Sequence, residues 1–226
     1  MYIKYNLYFT YKMELRPYIT EFIGTFLLVL IGAGMAAMMG GASNANVATA
    51  LAFGLVLVVL VYSFALMSGA NFNPAVSLGL AMDGRMSYGK MGGYWIAQFL
   101  GGIAAAALLL YFLGRESGLG ATVGLFTKSA PWKAILIEAI ITFILVFTVL
   151  AVTANGNYSA VGGIVIGLAL FIAVLFAFYL TGGSANPARS FGPALFTNNL
   201  STVWIYFVGP FLGAIVAALV YKFLYR

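Results

Sequence analysis

Long apolar stretches alternate with short polar ones along most of the chain, and their lengths fall in two classes. Six stretches predict membrane-spanning helices, over about 18–39, 46–67, 91–113, 133–154, 160–180 and 203–223. Two shorter ones, Asn73 to Met82 and Asn186 to Phe196, open with Asn-Pro. Proline suits the first turn of a helix. At about 1.5 Å of rise per residue neither segment can cross a bilayer. The expected fold class is an all-α membrane protein with six transmembrane helices and two re-entrant half-helices.

The polar stretches carry a repeat. "EFIGTFLLVL" (21–30) matches "EAIITFILVF" (138–147), and "GANFNPAVSLG" (69–79) matches "GGSANPARSFG" (182–192). Asn186 stands 113 positions after Asn73 (186 − 73), half of the 226-residue chain. Each copy is then three spans with a half-helix between its second and third. The division is an N-terminal cytoplasmic tail at 1–17, a first repeat at 18–113 with its half-helix at 73–82, a connecting extracellular loop at 114–131, and a second repeat at 132–226 with its half-helix at 186–196. An odd number of spans per copy turns the second upside down relative to the first. Inverted repeats with broken helices meeting near the midplane mark a transport path.

Composition agrees and narrows the chemistry. The chain is 63% hydrophobic and 7% charged, with mean hydropathy +1.04, whereas soluble domains are about one quarter charged. Cysteine and histidine are absent. That leaves no thiol chemistry, no imidazole base and no metal set built from these residues. Nor is a nucleophile–base constellation visible, and an enzyme is not expected. The net charge of +6 serves as a topology marker rather than a nucleic-acid footprint. With both termini cytoplasmic, that side holds Lys4, Lys12, Arg16, Arg85, Lys90, Lys222 and Arg226, against Arg115, Lys128 and Lys133 opposite. The first dozen residues, "MYIKYNLYFTYK", read as an unstructured tail or an extension before Met13, with an interfacial aromatic anchor as the alternative.

Irregular backbone at membrane depth must be buried in protein or line a wet cavity. The segments Gly69–Phe72 and Gly182–Ala185 are therefore expected to present carbonyls to such a cavity. The half-helix N-termini add partial positive charge, and Asn73 and Asn186 add side-chain N–H donors. Arg189 is an intramembrane charge in the second copy alone, where the first has Val76. A pore-facing role and a salt bridge to Glu21 or Glu138 are its two readings, and the pore is preferred. Glu21 and Glu138, early in spans 1 and 4, are expected to be structural acids accepting N–H groups freed by the broken loops.

These residues resemble the aquaporin and glycerol-facilitator superfamily, the major intrinsic proteins, from Tyr18 to Tyr221. "EFIGTF", "LAFGL", "SGANFNPAV", "EAIITFILV", "GGSANPARSFGPAL" and "WIYFVGPFLGA" carry the likeness. Two NPA motifs in repeated context, with Arg after the second, make it specific. The resemblance implies a pore centre at Asn73, Pro74, Ala75, Asn186, Pro187 and Ala188. It implies a selectivity constriction at Phe53, Val174, Gly183 and Arg189, and a ladder of carbonyls from Gly69, Ala70, Asn71, Gly182, Gly183 and Ser184. It further implies a homotetramer in a lipid bilayer, one passive pore per subunit, and no cofactor.

Several positions depart from the family's strict classes. Val174 stands where water-strict members have His, and Gly183 where mercury-sensitive members have Cys. Asn71 replaces a common His and Phe207 a common Trp. Ser190 and Ala194 are of the water type, where glycerol facilitators usually carry Asp and Lys. The likeness is greatest to microbial water-channel-type aquaporins. The function expected is a passive channel for water, admitting small uncharged solutes such as glycerol and excluding ions and protons, in the cell membrane. A glycerol or urea facilitator is the first alternative. A closed structural member of the fold and an ion-coupled secondary transporter are the others.

Overall fold

The computed structural model describes residues 2–154 and 160–226, with side chains from Leu15 onward. Helix α1 spans Tyr2–Met38, α2 Ala45–Ser68, α3 Pro74–Met82 and α4 Tyr88–Leu113. The short α5 follows at Leu125–Ser129, then α6 Pro131–Val152, α7 Gly162–Thr181, α8 Pro187–Phe196 and α9 Ile205–Tyr225. Among the described residues, six helices are long and apolar enough to cross a membrane. The half-helices α3 and α8 are the two short elements opening on Asn-Pro, and each has proline at its first turn. Their caps explain why they begin there. Asn73 lies in extended backbone and accepts the Ala75 N–H, while Asn186 accepts those of Ala188 and Arg189.

Two elements differ from the expected division. The first dozen residues, expected as an unstructured tail, are helical from Tyr2 and continuous with the first span. No glycine or proline precedes Pro17 to end it. Lys4, Lys12 and the tyrosines of that stretch lie outside the described side chains. The loop at 114–131 is not a simple surface connection. It forms a 3₁₀ turn over Arg115–Gly120, then α5, and it dips into the bundle, burying Leu119, Thr122 and Thr127. Left-handed backbone at Gly118, Leu119 and Gly120 makes that inward turn.

The packing repeats itself across the two halves. Helix α1 packs on α2 and α4 as α6 packs on α7 and α9, and α8 lies against α4 as α3 lies against α9. Helices α2 and α7 face each other where the halves join. Gly54 and Gly167 meet there. A Cβ on Gly54 would lie 2.9 Å from the Gly167 carbonyl oxygen, and one on Gly167 2.6 Å from that of Gly54. Only glycine allows this approach, as at small-residue crossings of membrane helices generally.

Large apolar side chains cover the outside, among them Leu66, Tyr111, Phe223 and Trp132. On a soluble protein such a surface would aggregate, whereas in a bilayer it is the solvated face. The polar groups are gathered inside, along the axis between the half-helices.

Candidate functional site

The site is built from two breaks in the helical pattern. Gly69, Ala70 and Phe72 in the first half, and Gly182, Gly183 and Ala185 in the second, all have positive φ. Non-glycine residues there cost about 1–2 kcal/mol each, so something must hold the segments. Two buried carboxylates do. Glu21 accepts the N–H groups of Asn71 (3.0 Å) and Phe72 (2.6 Å), the Ser68 hydroxyl (2.6 Å) and Gln98 Nε2 (2.8 Å). Glu138 accepts the N–H groups of Ser184 (3.0 Å) and Ala185 (2.8 Å) and the Thr181 hydroxyl (2.7 Å). Tyr94 donates to the Ser68 carbonyl at 2.6 Å and Tyr206 to that of Thr181 at 2.7 Å. The two halves use the same device.

With their N–H groups turned toward the acids, the segments leave carbonyls elsewhere. Those of Ala70, Asn71, Gly182, Gly183 and Ser184 accept no protein hydrogen bond among the described residues. The Phe72 and Ala185 carbonyls tie the halves together: Asn186 Nδ2 donates to Phe72 at 3.0 Å and Asn73 Nδ2 to Ala185 at 2.7 Å. Each asparagine thus uses its oxygen to cap its own half-helix and one N–H to hold the opposite segment. An amide carries two N–H donors, so one on each remains for the lumen. Pro74, Ala75, Pro187 and Ala188 are buried as the first turns behind them.

Three cavities lie end to end along this axis. The middle one is about 20 Å³ and is lined by Asn73, Asn186, Ala70, Asn71, Ser184, Phe53 and Arg189, with Leu28, Leu57, Val76, Leu145, Val149, Ile166 and Leu170 completing the wall. A vestibule of about 240 Å³ shares Arg189 with it and includes Gly182, Gly120 and Asn199. The opposite vestibule, about 190 Å³, shares Asn71 and Val149 and includes Gly69, Arg85, Lys90 and Thr153. One water needs roughly 10–15 Å³ of such space, so the middle cavity of about 20 Å³ has room for about one. The wall is amphipathic along its length.

Arg189 stands where the larger vestibule narrows into the middle cavity. It is 2% exposed. Its Nη1 donates to the Gly120 carbonyl (2.8 Å) and the Thr122 hydroxyl (2.7 Å), and its guanidinium lies 4.9 Å from the centre of the Phe53 ring. Among the described residues it makes no salt bridge, to Glu21, Glu138 or any other acid. Val174 and Gly183 touch each other, a Cβ on Gly183 falling 3.1 Å from Val174 Cα, but neither lines any of the three cavities.

Several site residues escape the sequence reading. Ser68, Thr181, Tyr94 and Tyr206 carry a signal, since each pair recurs at nearly the repeat spacing. Gly120 and Thr122 carry none, because the loop that holds them has no second copy. Arg85, in sequence only a topology marker, pairs with Asp83 at 2.6 Å, donates to Thr153 at 2.9 Å and lines the smaller vestibule.

Comparison with known proteins places this geometry. The family profile of the major intrinsic proteins matches residues 9–221. Glycerol uptake facilitator protein-like 6 of Lactiplantibacillus plantarum is 39% identical over 212 residues, covering 90% of this chain and 95% of the relative. Probable aquaporin TIP2-2 of Arabidopsis thaliana is 38% identical over 220 residues, covering 92% and 86%. The crystal structure of the aquaglyceroporin from Plasmodium falciparum superposes with a TM-score of 0.79 at 26% identity, covering 92% of this chain and 95% of that one.

Proposed function

Because the chain belongs to the major intrinsic protein family, we propose that it conducts water in single file between its two vestibules, passively and without a cofactor. The observation that carries this is the small middle cavity, which shares lining residues with a wide vestibule at each end. A file of water needs acceptors along the path and donors at the centre. The unpaired carbonyls of Ala70, Asn71, Gly182 and Ser184, residues that line the cavities, and the lumen-facing N–H groups of Asn73 and Asn186 supply them. Two helix N-termini converge on that centre, and their positive ends, with the Arg189 charge, disfavour cations and protons there. Phe53 and Arg189 set the width on the Arg189 side, with Val174 and Gly183 behind them.

Glu21 and Glu138 take the structural role. Both are fully engaged by protein donors and line none of the cavities, which argues against an ion-coupled transporter. The Arg189 vestibule is assigned to the extracellular side and the Arg85 vestibule to the cytoplasm, with both termini on the cytoplasmic side of the cell membrane. Four copies, each with its own pore, form the assembly.

Passage of small polyols is the second reading, and a specific feature favours it. Seven aliphatic side chains line the middle cavity, a surface suited to a carbon backbone, while the asparagines and carbonyls beside them can receive hydroxyls. Stopped-flow shrinking and reswelling of proteoliposomes in sucrose, glycerol and urea tests both readings. Water permeability well above the lipid background, with slower glycerol reswelling, is expected. Val174→His is expected to suppress glycerol further while water flux persists. Glycerol entering as fast as water in the wild type would reverse the order of preference.

A further inference from the structure

A chain of hydroxyl groups runs from Arg189 back to the pore centre, and its hydrogen bonds have only one consistent direction. Ser184 Oγ lies 2.9 Å from the Asn186 carbonyl, which cannot donate, so Ser184 gives its proton there. Ser184 Oγ is 2.6 Å from Ser190 Oγ, and with its own proton committed it must accept from Ser190. Ser190 Oγ is 2.7 Å from Thr122 Oγ1, so Thr122 must donate to Ser190. What remains on Thr122 is oxygen lone pairs, and Arg189 Nη1 donates to them at 2.7 Å. A hydroxyl has one proton and two lone pairs; Thr122 and Ser190 each donate once and accept once in this order, and Ser184, which also accepts the Asn186 N–H at 3.2 Å, uses its proton and both lone pairs.

The first half has no such chain. There Ser77, the counterpart of Ser190, accepts from Asn71 Nδ2 and Gln98 Nε2, both at 3.0 Å. Two amides close that position, and no cation lies beyond it. The run of hydroxyls is peculiar to the half that bears Arg189, and its last member comes from the unrepeated loop.

We propose that Thr122 is a positioning residue for permeation. Through Ser190 and Ser184 it fixes the guanidinium of Arg189 relative to Asn186, and so sets the aperture between the Arg189 vestibule and the middle cavity. The Gly120 carbonyl alone leaves the guanidinium plane free to turn about one contact, whereas two acceptors on Nη1 define it. Arg189 Nε is buried and has no hydrogen-bond partner among the described residues, so the guanidinium's hydrogen bonds are all made at Nη1. Without the Thr122 oxygen the guanidinium swings into a cavity that has room for one molecule.

Thr122→Val keeps the shape and removes the hydroxyl. Osmotic water permeability in proteoliposomes, per copy of folded protein, is expected to fall roughly tenfold, the factor that corresponds to about 1.4 kcal/mol. Its temperature dependence is expected to steepen. A smaller folded fraction would lower permeability but leave that dependence alone. Thr122→Ser, which retains the oxygen, is expected to restore both. Ser190→Ala interrupts the same chain with little change in packing and is expected to shift both readouts in the same direction. The double variant is then no worse than Thr122→Val alone, since contacts in one network do not add.

Wild-type permeability and temperature dependence in Thr122→Val, or strict additivity with Ser190→Ala, would overturn the proposal. It rests on the channel reading, and the two fail differently. Wild-type liposomes no leakier than lipid sink the channel reading. In that event the coupling between Thr122→Val and Ser190→Ala, read from apparent thermal midpoints, decides the positioning role. Where Thr122→Val does not fold, Ser190→Ala against Thr122→Ser decides it.

Discussion

Replacing Glu138 by Gln tests what holds the second break open. The change keeps the shape of the side chain and removes one of two acceptor oxygens. In the wild type, one carboxylate oxygen takes the Ser184 N–H (3.0 Å) and the Thr181 hydroxyl (2.7 Å), and the other takes the Ala185 N–H at 2.8 Å. The least costly placement of glutamine keeps its oxygen on the first pair. Its NH₂ then faces the Ala185 N–H, donor against donor. Losing one hydrogen bond to a charged group costs about 1.5–3 kcal/mol. Ala185 sits at φ 49, a conformation that itself costs about 1–2 kcal/mol. The bond, at about 1.5–3 kcal/mol, offsets a strain of about 1–2 kcal/mol, so it is what keeps Ala185 left-handed. Its loss turns the peptide, and with it the Ala185 carbonyl that Asn73 Nδ2 grips at 2.7 Å. At about 2–4 °C per kcal/mol for a chain of this length, the thermal midpoint of the detergent-solubilised protein should fall by roughly 3–12 °C. Water permeability per folded copy should fall with it. A Glu138→Gln protein with unchanged midpoint and unchanged permeability would refute the claim that the acid holds the loop.

Two further substitutions address the constriction. Arg189→Val removes the cation at the narrow point and should raise proton and sodium leak in dye-loaded liposomes; unchanged exclusion would assign selectivity to the half-helix ends alone. Gly183→Cys should introduce mercurial block into a chain that has no cysteine. It should also lower the thermal midpoint by a few degrees, because residue 183 has φ +58 and its Cβ would lie 3.1 Å from Val174, at a cost of about 1–2 kcal/mol. Gly183→Ala separates that strain from the block. A Cys variant untouched by mercurials would place residue 183 away from the path.

What the sequence disclosed, it disclosed because it was written twice. The six spans and both half-helices follow from apolar run length and Asn-Pro, and their register follows from matching blocks. Glu21 and Glu138 could be picked out as a pair because each precedes the same Thr-Phe. Boundaries set by ordinary helix continuation were less legible: α1 begins at Tyr2 because nothing before Pro17 interrupts it. Thr122 and Gly120 were hidden for a different reason. They act only by being brought within 2.7–2.8 Å of an arginine nearly seventy positions away, and no local pattern records that.

The same division separates stability from selectivity. Elements present in both halves, such as the acids, Ser68 with Thr181, Tyr94 with Tyr206 and the crossed asparagine bonds, hold the breaks open and make the passage continuous. A channel of these alone would be nearly indifferent to direction and charge at its two ends. The differences are single-copy. Arg189 faces Val76 across the repeat, Thr122 stands where the first half has Gln98, and Arg85 marks the other vestibule. The two half-helix N-termini share in excluding cations at the centre, and discrimination beyond that has to arise where the symmetry fails. That makes the 114–131 loop, rather than the NPA motifs, the segment in which relatives sharing this scaffold can differ most cheaply in what they admit.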